Sequence, residues 1–456
     1  MSHAPIEVPE PLEQYAKLLD PAFTRPTQRE SLRTYLQGLL LGTERHKTAT
    51  GIANTEPGKI GSHHQDAQRL QWFLSESTWN PDALHDARLA AMTALSSTRP
   101  DANAVLVVDE TGDRKYGTHT AHVGRQYLGS LGKVDSGIVS VHVLYATLEA
   151  YFPLRLKPYT PASHFARKTN DPAFRTKPQL ALELIESVRE TWVFRAVVAD
   201  SFYGKNDEFV HSLLSRNIPF VLALPASYAW WHHVDEVGGV EELTSLAPAD
   251  AWQPLTREYA DGHDGVVWVA ELEGGPFGVK QALRLVVMTD DPMKLVVDTT
   301  EYLITNLRSS AEDDGEYRVK ALPADATEVA RLYARRVVIE QAYREVKQHL
   351  GWTACQARSS LGLQRHWALV CAAFCFLWWR SMHPEARSSD ENAVLDGAQH
   401  VPQSWVGWLR EVRGWLEPFV LVWRCWRAFT ALPPPGLLRG LLEGCRLGRS
   451  LCLFVS

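Results

Sequence analysis

The chain begins with a segment in which apolar residues recur at helical spacing. The first clear group is Leu32, Leu36, Leu39 and Leu40. Asn80 and Pro81 have the form of an N-cap followed by proline at the first helical position, and Thr27 and Glu30 have the spacing of a capping box. The sequence therefore predicts a helical N-terminal region over residues 1–98.

After residue 98 the pattern changes to short continuous apolar runs, which are typical of strands buried on both faces. These runs cover residues 104–108, 138–145, 151–156, 195–199 and 219–224. Helical patterns separate them at residues 178–190 and 206–215. The order β-β-β-α-β-α-β predicts an α/β fold over residues 99–224, with a mixed sheet and helices on its faces.

The pattern changes twice more towards the C-terminus. Residues 225–325 carry short strands at 266–272, 285–288 and 302–305 between acidic loops, which indicates an inserted β-rich module. Helical periodicity returns at Thr327 and continues to Arg380, within a segment that we bound at 326–384. Residues 385–456 then form a helical C-terminal region, rich in Trp and Arg and broken by three prolines at 433–435.

Neither a membrane segment nor an export signal is visible in the sequence. The longest apolar stretch, 367–379, lies between His366 and Arg380 and is too short to span a bilayer, so it predicts a buried helix. The first 30 residues lack the apolar core of a secretory signal. All 6 cysteines follow residue 354 without a CxxC pair, which fits a reducing cytoplasm, and Cys371 and Cys375 are expected to pack in the core.

Charge gives two opposing indications about nucleic acids. The net charge of −6 argues mildly against a nucleic-acid partner. Between residues 331 and 366, however, the acids are only Glu340 and Glu345. The bases in the same stretch are Arg331, Arg335, Arg336, Arg344, Lys347, Arg358 and Arg365. The sequence thus predicts a basic strip around one carboxylate.

Two of the predicted strands end in an aspartate, Asp109 and Asp200. Ligands of open α/β sheets bind beyond the strand ends, so these two acids are candidates for a shared ion site. The alternative is that each aspartate only begins a turn, where this residue type is favoured.

A third carboxylate lies on a helix predicted over residues 331–350. At about 100° per residue, one face of that helix carries Tyr333, Arg336, Glu340, Arg344 and Lys347. The face is either solvated, with charge pairs joining Glu340 to Arg336 and Arg344, or it is a metal-binding carboxylate flanked by bases that grip phosphates. Three carboxylates suit Mg²⁺ or Mn²⁺, and two such ions support in-line phosphoryl transfer.

These residues resemble a known family. Tyr333-x2-Arg336-x3-Glu340-x6-Lys347 matches the Tyr-Arg-Glu-Lys signature of insertion-sequence-4-like DDE transposases. The stretch Asp109-Glu110-Thr111-Gly112, with the glycine-rich segments at 124–129 and 131–134, is similar to the first catalytic block of the insertion-sequence-701 family. Residues 199–204 (ADSFYG) resemble its second block, and the likeness extends over roughly residues 30–380.

The resemblance implies an RNase H-like catalytic core formed by residues 99–224 and 326–384, interrupted by the β-rich module. It implies that Asp109, Asp200 and Glu340 hold two Mg²⁺ or Mn²⁺ ions. It also implies that Tyr333, Arg336 and Lys347 grip DNA near the scissile phosphate. The expected partners are the terminal inverted repeats of an element and its target DNA, handled by a dimer or larger assembly in the bacterial cytoplasm, at the nucleoid.

Several further residues keep two interpretations. Arg344 extends the basic face, and Arg125 and Lys133 lie in a glycine-rich loop where they either contact DNA or remain solvated. Glu110 stands where the family has a second aspartate. Tryptophans of the β-rich module, which relatives use to hold a flipped base, either do so here or only pack: Trp230, Trp231, Trp252 and Trp268.

Three functions fit these residues. The first is a cut-and-paste transposase. The second is a transposase-derived regulator that binds DNA without cutting it, although a pure binder has no need for carboxylates facing phosphates. The third is a host nuclease of the same fold that hydrolyses DNA without joining it. Inverted repeats flanking the gene would separate the first from the third.

Overall fold

The structure, a computed structural model, describes residues 8–42, 46–53, 63–233, 236–258, 264–272, 274–276, 283–310, 321–383 and 404–423, and parts of 426–450. The chain forms two compact units. The first unit contains Met1–Arg99, Asp113–Ile138 and Gln341–Ser456. The second contains Pro100–Gly112 and Val139–Glu340.

The described helices are, in chain order, α1 (Glu10–Leu19), α2 (Pro26–Leu40), α3 (Ala49–Ala53), α4 (His63–Ser75), α5 (Pro81–Thr93), α6 (Lys177–Val188), α7 (Ser201–Gly204), α8 (Asp207–Ser215), α9 (Val240–Ser245), α10 (Ala326–Ala334), α11 (Val337–His349), α12 (Ser360–Met382), α13 (Trp405–Pro418) and α14 (Gly436–Arg446).

The described strands are β1 (Val105–Arg114), β2 (Gly124–Leu128), β3 (Lys133–Ala146), β4 (Tyr151–Tyr159), β5 (Ala196–Ala199), β6 (Phe220–Leu224), β7 (Ala229–His233), β8 (Glu236–Gly239), β9 (Gln253–Glu258), β10 (Asp264–Leu272), β11 (Gly275–Pro276), β12 (Arg284–Thr289) and β13 (Thr300–Thr305).

Helix α12 is the centre of the first unit. Most of its 23 residues are buried, because α1, α2, α4, α5 and α13 pack around it. An all-round apolar helix requires such cover, and each fully buried Leu or Phe stabilises the unit by roughly 2 kcal/mol. By length and composition α12 could cross a membrane, but 83% of its most apolar window is buried inside the protein. The predicted buried helix is confirmed, and Cys371 and Cys375 lie in this core.

The polar side chains at the start of α12 are buried with their partners. Arg365 donates to the backbone carbonyls of Leu74, Ser77 and Trp79. His366 is fully buried between the Tyr35 hydroxyl, 2.9 Å from Nδ1, and the Gly351 carbonyl, 3.0 Å from Nε2. The neutral tautomer with a proton on Nε2 satisfies both bonds.

A mixed sheet forms the second unit. Its strands follow the order β3-β1-β5-β6-β13-β12-β10-β9, with β4 on β3. The central pairs β1–β5 and β5–β6 are parallel, and the pairs from β6 to β9 are antiparallel. The predicted α/β class, with a mixed sheet of RNase H-like type flanked by helices, is confirmed.

The β-rich segment does not stand apart from this sheet. Strands β9, β10, β12 and β13 continue it beyond β6, since β13 pairs with β6 from Tyr302↔Leu224 to Thr305↔Val221. Only β7, β8 and β11 form a separate three-stranded sheet among the described residues. The apolar runs of β12 and β13 are buried throughout or nearly so, which explains why they lie inside a sheet.

The single helix predicted over residues 331–350 is wrong. Helix α10 ends at Ala334 and α11 begins at Val337. In the intervening turn, the amides of Arg336, Val338 and Ile339 bond to carbonyls three residues earlier. The β-branched run Val337-Val338-Ile339 weakens helical continuity at this point. Tyr333, Arg336 and Glu340 therefore belong to a helix, a turn and a second helix.

The two predicted N-caps had different outcomes. Asn80 caps α5 as predicted, and its side chain accepts from the Asp82 amide at 2.9 Å. The capping box at Thr27 and Glu30 is wrong, because α2 already begins at Pro26. There the Gln28 side chain accepts from the Arg25 amide at 3.1 Å. Proline at the first helical position places the start two residues earlier than the capping-box spacing suggests.

Candidate active site

The two aspartates lie side by side on neighbouring parallel strands. The register between β1 and β5 runs from Val105↔Ala196 to Val108↔Ala199. The residues that follow these two paired segments are Asp109 and Asp200. Neighbouring strands are about 4.8 Å apart, which brings the two carboxylates to one edge of the sheet. Strand β1 continues past Asp109 to Arg114, further than its apolar run predicted.

Local backbone geometry holds each aspartate. The Asp109 carboxylate accepts from the Glu110 amide at 2.7 Å. Asp200 caps α7, and its side chain accepts from the Phe202 amide at 3.1 Å. Helix α7 lies close against β6, because a side chain at Gly204 would collide with the Ala223 carbonyl. The predicted ADSFYG block thus fixes Asp200 through a cap and a close glycine contact.

Burial and neighbouring acids disfavour the charged form of both aspartates. Burial raises the pKa of Asp109 to about 8, and the nearby charges of Asp200 and Glu110 add to this increase. Burial also raises the pKa of Asp200, with Glu110 contributing. Arg336 acts in the opposite direction on both. The pair therefore favours a bound cation or a shared proton.

Arg336 connects the first aspartate to the glutamate. Its guanidinium lies 3.4 Å from Asp109 Oδ2 and 2.9 Å from Glu340 Oε1. Burial alone would lower the pKa of Arg336, but Tyr333 and the surrounding carboxylates raise it above its ordinary value. The Arg336 guanidinium thus contacts both acids. Its pair with Glu340 is the charge pair that the solvated-face interpretation predicted.

Glu110 is held by other partners. Its Oε1 lies 2.9 Å from Lys177 Nζ, and its Oε2 accepts from the Tyr203 hydroxyl at 2.7 Å. Lys177 is the first residue of α6, a helix capped by Thr176. Each oxygen of Glu110 thus has a partner of its own, while the charge of Glu110 still raises the pKa of Asp109 and of Asp200.

Tyr333 lies beneath this cluster rather than at its surface. Its ring is 4% exposed, and its hydroxyl donates to Glu301 Oε2 at 3.4 Å. Burial raises the pKa of Glu301, while Arg336 lowers it. Sequence reasoning missed Glu301, Lys177 and Tyr203. The sequence signal for Glu301 was a lone acid in an apolar strand. For Lys177 and Tyr203 it was only their position just before predicted helices.

The other predicted DNA-binding residues lie in the first unit. Arg344 is exposed on α11. Lys347 lies 3.0 Å from Asp113 Oδ1, a carboxylate that is only 7% exposed. Arg125 on β2 and Lys133 on β3 are both exposed. In the hairpin Arg125 pairs with Ser136 and Lys133 with Leu128, so the two bases point to opposite faces.

The four tryptophans differ in accessibility. Trp230 is fully buried and Trp252 is 9% exposed, which fits packing. Trp231 and Trp268 are partly exposed.

The donor set fits a hard divalent cation. Asp109, Asp200 and Glu340 supply carboxylate oxygens, the ligand type that Mg²⁺ and Mn²⁺ prefer. The positive charge beside Asp109 and Glu340 in the structure is the guanidinium of Arg336. In the described part of the chain, no three acidic, His or Cys side chains are yet gathered in metal-binding geometry. Cation binding by all three carboxylates would therefore require their side chains to come closer together.

Comparisons with known proteins show which family the chain is similar to. Two family descriptions match the sequence, "DDE superfamily endonuclease" over residues 18–238 and "Transposase DDE domain" over residues 163–376. The chain is 30% identical over 321 residues to the "Probable transposase for insertion sequence element IS701" of Microchaete diplosiphon. That alignment covers 70% of this chain and 74% of the relative.

Proposed function

The chain belongs to the insertion-sequence-701 family of DDE transposases, and we propose that it cuts and rejoins DNA at the ends of an insertion element by metal-dependent phosphoryl transfer at Asp109, Asp200 and Glu340. The observation that carries this proposal is the register of β1 and β5, which sets Asp109 beside Asp200. Arg336 then links Asp109 to Glu340.

The three carboxylates would hold the cations. Bound Mg²⁺ or Mn²⁺ would activate water or a 3′-hydroxyl and stabilise the leaving oxygen of the phosphodiester. Asp109 and Asp200 are fixed by backbone amides, so their oxygens are oriented before a ligand arrives. Glu340 has a side chain that is 54% exposed on α11, which gives it room to approach or leave the pair.

Arg336 would exchange partners during binding. In the structure its guanidinium contacts both Asp109 and Glu340. When cations take over that role, the guanidinium becomes available for the scissile phosphate, to which arginine binds well in a bidentate manner. Tyr333 and Glu301 would keep the turn that carries Arg336 in place, because the Tyr333 hydroxyl donates to Glu301.

The substrate would be double-stranded DNA carrying the terminal inverted repeats of the element, followed by target DNA. Arg344, Lys347, Arg125 and Lys133 would contribute phosphate contacts. A dimer or larger assembly at the bacterial nucleoid would handle two element ends together. A DNA-binding regulator without cleavage activity is less favoured, because binding DNA does not require two aspartates buried side by side, where burial disfavours their charged form. A host nuclease would share all of this geometry and differ only in the absence of joining.

Cutting of labelled element-end DNA tests the proposal. Purified protein should nick this DNA only with Mg²⁺ or Mn²⁺. Asp109→Asn, Asp200→Asn and Glu340→Gln should each slow nicking on the order of a thousandfold, since each removes several kcal/mol of charge stabilisation. DNA affinity should persist in all three.

Glu110→Gln is the matched control, because Glu110 is bound to Lys177 and Tyr203. It should retain cutting better than Asp109→Asn. Equal loss in both variants would contradict the assignment of Asp109, and nicking by wild type in EDTA would contradict the metal mechanism.

A further inference from the structure

The first unit contains an open groove of about 600 Å³, which we call the Lys115 groove. Its walls come from α2, α3, α4, the segment that follows β1 and the segment that precedes α12. A volume of this size is within the usual range of ligand sites, roughly 300 to 1,000 Å³. None of its residues belongs to the carboxylate cluster of the second unit.

The charge of the groove is positive. Lys115 and Arg358 line it, and no Asp or Glu is among the 15 lining residues. Lys115 Nζ donates to the Cys355 carbonyl at 3.2 Å. Because a backbone carbonyl has no net charge, this bond does not neutralise the lysine. Arg358 is exposed, and no ion pair is found for it among the described residues. Two cations around a shared space favour an anionic ligand.

The remaining lining residues suit a chain of sugars and bases. Gln71, Ser75 and Gln356 offer neutral donors and acceptors. The Tyr116 side chain is 88% exposed, and the Arg114 guanidinium lies 4.8 Å from its ring centre. An exposed aromatic beside cations is the combination that proteins use to bind single nucleic-acid strands.

The two segments that carry the cations are tied together. The Ala121 amide donates to the Arg358 carbonyl at 2.8 Å, and His122 Nε2 lies 2.7 Å from Ser360 Oγ. Gly117 also lines the groove. A Cβ atom added at Gly117 would have no atom within 4 Å beyond its own chain neighbours. The groove is therefore preformed and open at Gly117, which lowers the entropic cost of binding.

We infer that the Lys115 groove binds one strand of DNA, with Lys115 and Arg358 on phosphates and Tyr116 against a base or sugar. The inference rests on the proposed function, since it takes DNA as the substrate. It adds a second contact region, carried by the segment that directly follows the strand of Asp109.

Fluorescence anisotropy with a labelled oligothymidine, measured over a series of salt concentrations, tests the charges. The double variant Lys115→Gln with Arg358→Gln should bind at least about tenfold more weakly. Its salt dependence should lose about two phosphate contacts, a change of about 1.4 in the slope of log K against log salt. Lys17→Gln with Arg99→Gln removes the same charge from exposed positions of the same unit and should leave the slope unchanged.

Two substitutions at Tyr116 test stacking. Tyr116→Ala should weaken oligothymidine binding roughly tenfold, whereas Tyr116→Phe should bind like wild type, because the ring rather than the hydroxyl contacts the strand. Thermal melts would establish that each variant is folded. Should the double variant not fold, Gly117→Cys carrying a photocrosslinker should capture the labelled strand, and no capture would overturn the inference.

The outcomes separate the groove from the active site. Groove variants that bind as tightly as wild type, or control variants that lose as much affinity, would overturn the groove alone, provided that wild type binds and cuts DNA. Wild type that binds no DNA would instead contradict the proposed function. Displacement of the strand by inorganic phosphate at equal concentration would show a simple anion site and would also overturn the inference.

Discussion

In the first unit, Arg365 and His366 are buried among hydrogen-bond partners that suit them, whereas in the second unit Asp109 and Asp200 are buried close to other acids. Arg365 is 2% exposed and its guanidinium bonds to three backbone carbonyls, and His366 is buried as a neutral ring between two partners. Asp109 and Asp200 are also largely buried, yet they face each other, and the pKa of each is raised by burial and by acidic neighbours.

The difference separates a structural use of buried polarity from a functional one. A buried charge with good hydrogen bonds helps to hold a core together, and its loss is costly. Paired acids without enough counter-charge weaken the fold until a cation binds. The first unit is therefore expected to respond to substitution mainly through stability, and the second mainly through cation binding and catalysis.

Arg365→Met should produce the largest loss of stability. The carbonyls of Leu74, Ser77 and Trp79 would lose their donor inside the core, which costs about 3 kcal/mol in the free energy of unfolding. Chemical denaturation of wild type and variant would measure this. Arg331→Met, at an exposed arginine, is the control and should change stability by less than about 0.5 kcal/mol. Equal effects would remove the contrast between buried and exposed arginines.

Divalent cations should stabilise the second unit. Mn²⁺ at about 100 times its dissociation constant would add about 2.7 kcal/mol, because it binds the folded carboxylate cluster and not the unfolded chain. Differential scanning calorimetry should show a rise in the unfolding midpoint of wild type. The same addition should have little effect on Asp109→Asn. An equal rise in this variant would place the cation elsewhere.

Acid should destabilise the first unit through His366. Burial lowers its pKa from 6.5 to about 4. Below pH 6.5 the unfolded chain takes up a proton that the folded chain excludes until about pH 4. Stability is therefore complete above pH 6.5 and is lost as the pH falls, by about 2 kcal/mol at about pH 5. Denaturation at several pH values should show a shallower decline for His366→Gln than for wild type, and parallel curves would contradict this role.

Lys347→Ala should have the smallest effect. Lys347 pairs with the buried Asp113, so its charge is already partly used within the first unit. DNA binding should weaken, and the slope of log K against log salt should fall by about one phosphate contact. Lys17→Ala serves as the exposed control. A slope equal to that of wild type would show that Lys347 makes no phosphate contact.

The strands that precede Asp109 and Asp200 were predictable because their pattern is local. A buried strand needs a continuous apolar run, and such runs gave the positions of β1, β5 and β6 and the acids that follow two of them. Asn80 could likewise be assigned as a cap from two adjacent residues. The division of α10 from α11 was missed, because side-chain periodicity continues across Arg335 and Arg336 while backbone hydrogen bonds change.

The sequence by itself determined where the apolar runs fall, which acids follow them, and the family signature, because these depend on neighbouring residues. Only the tertiary structure decided that Glu110 is bound to Lys177 and Tyr203, that Glu301 lies beneath Tyr333, and that Lys115 and Arg358 share a groove. Each of these last contacts joins residues far apart in the chain. Their proximity depends on strand register and packing, which no local pattern of residues encodes.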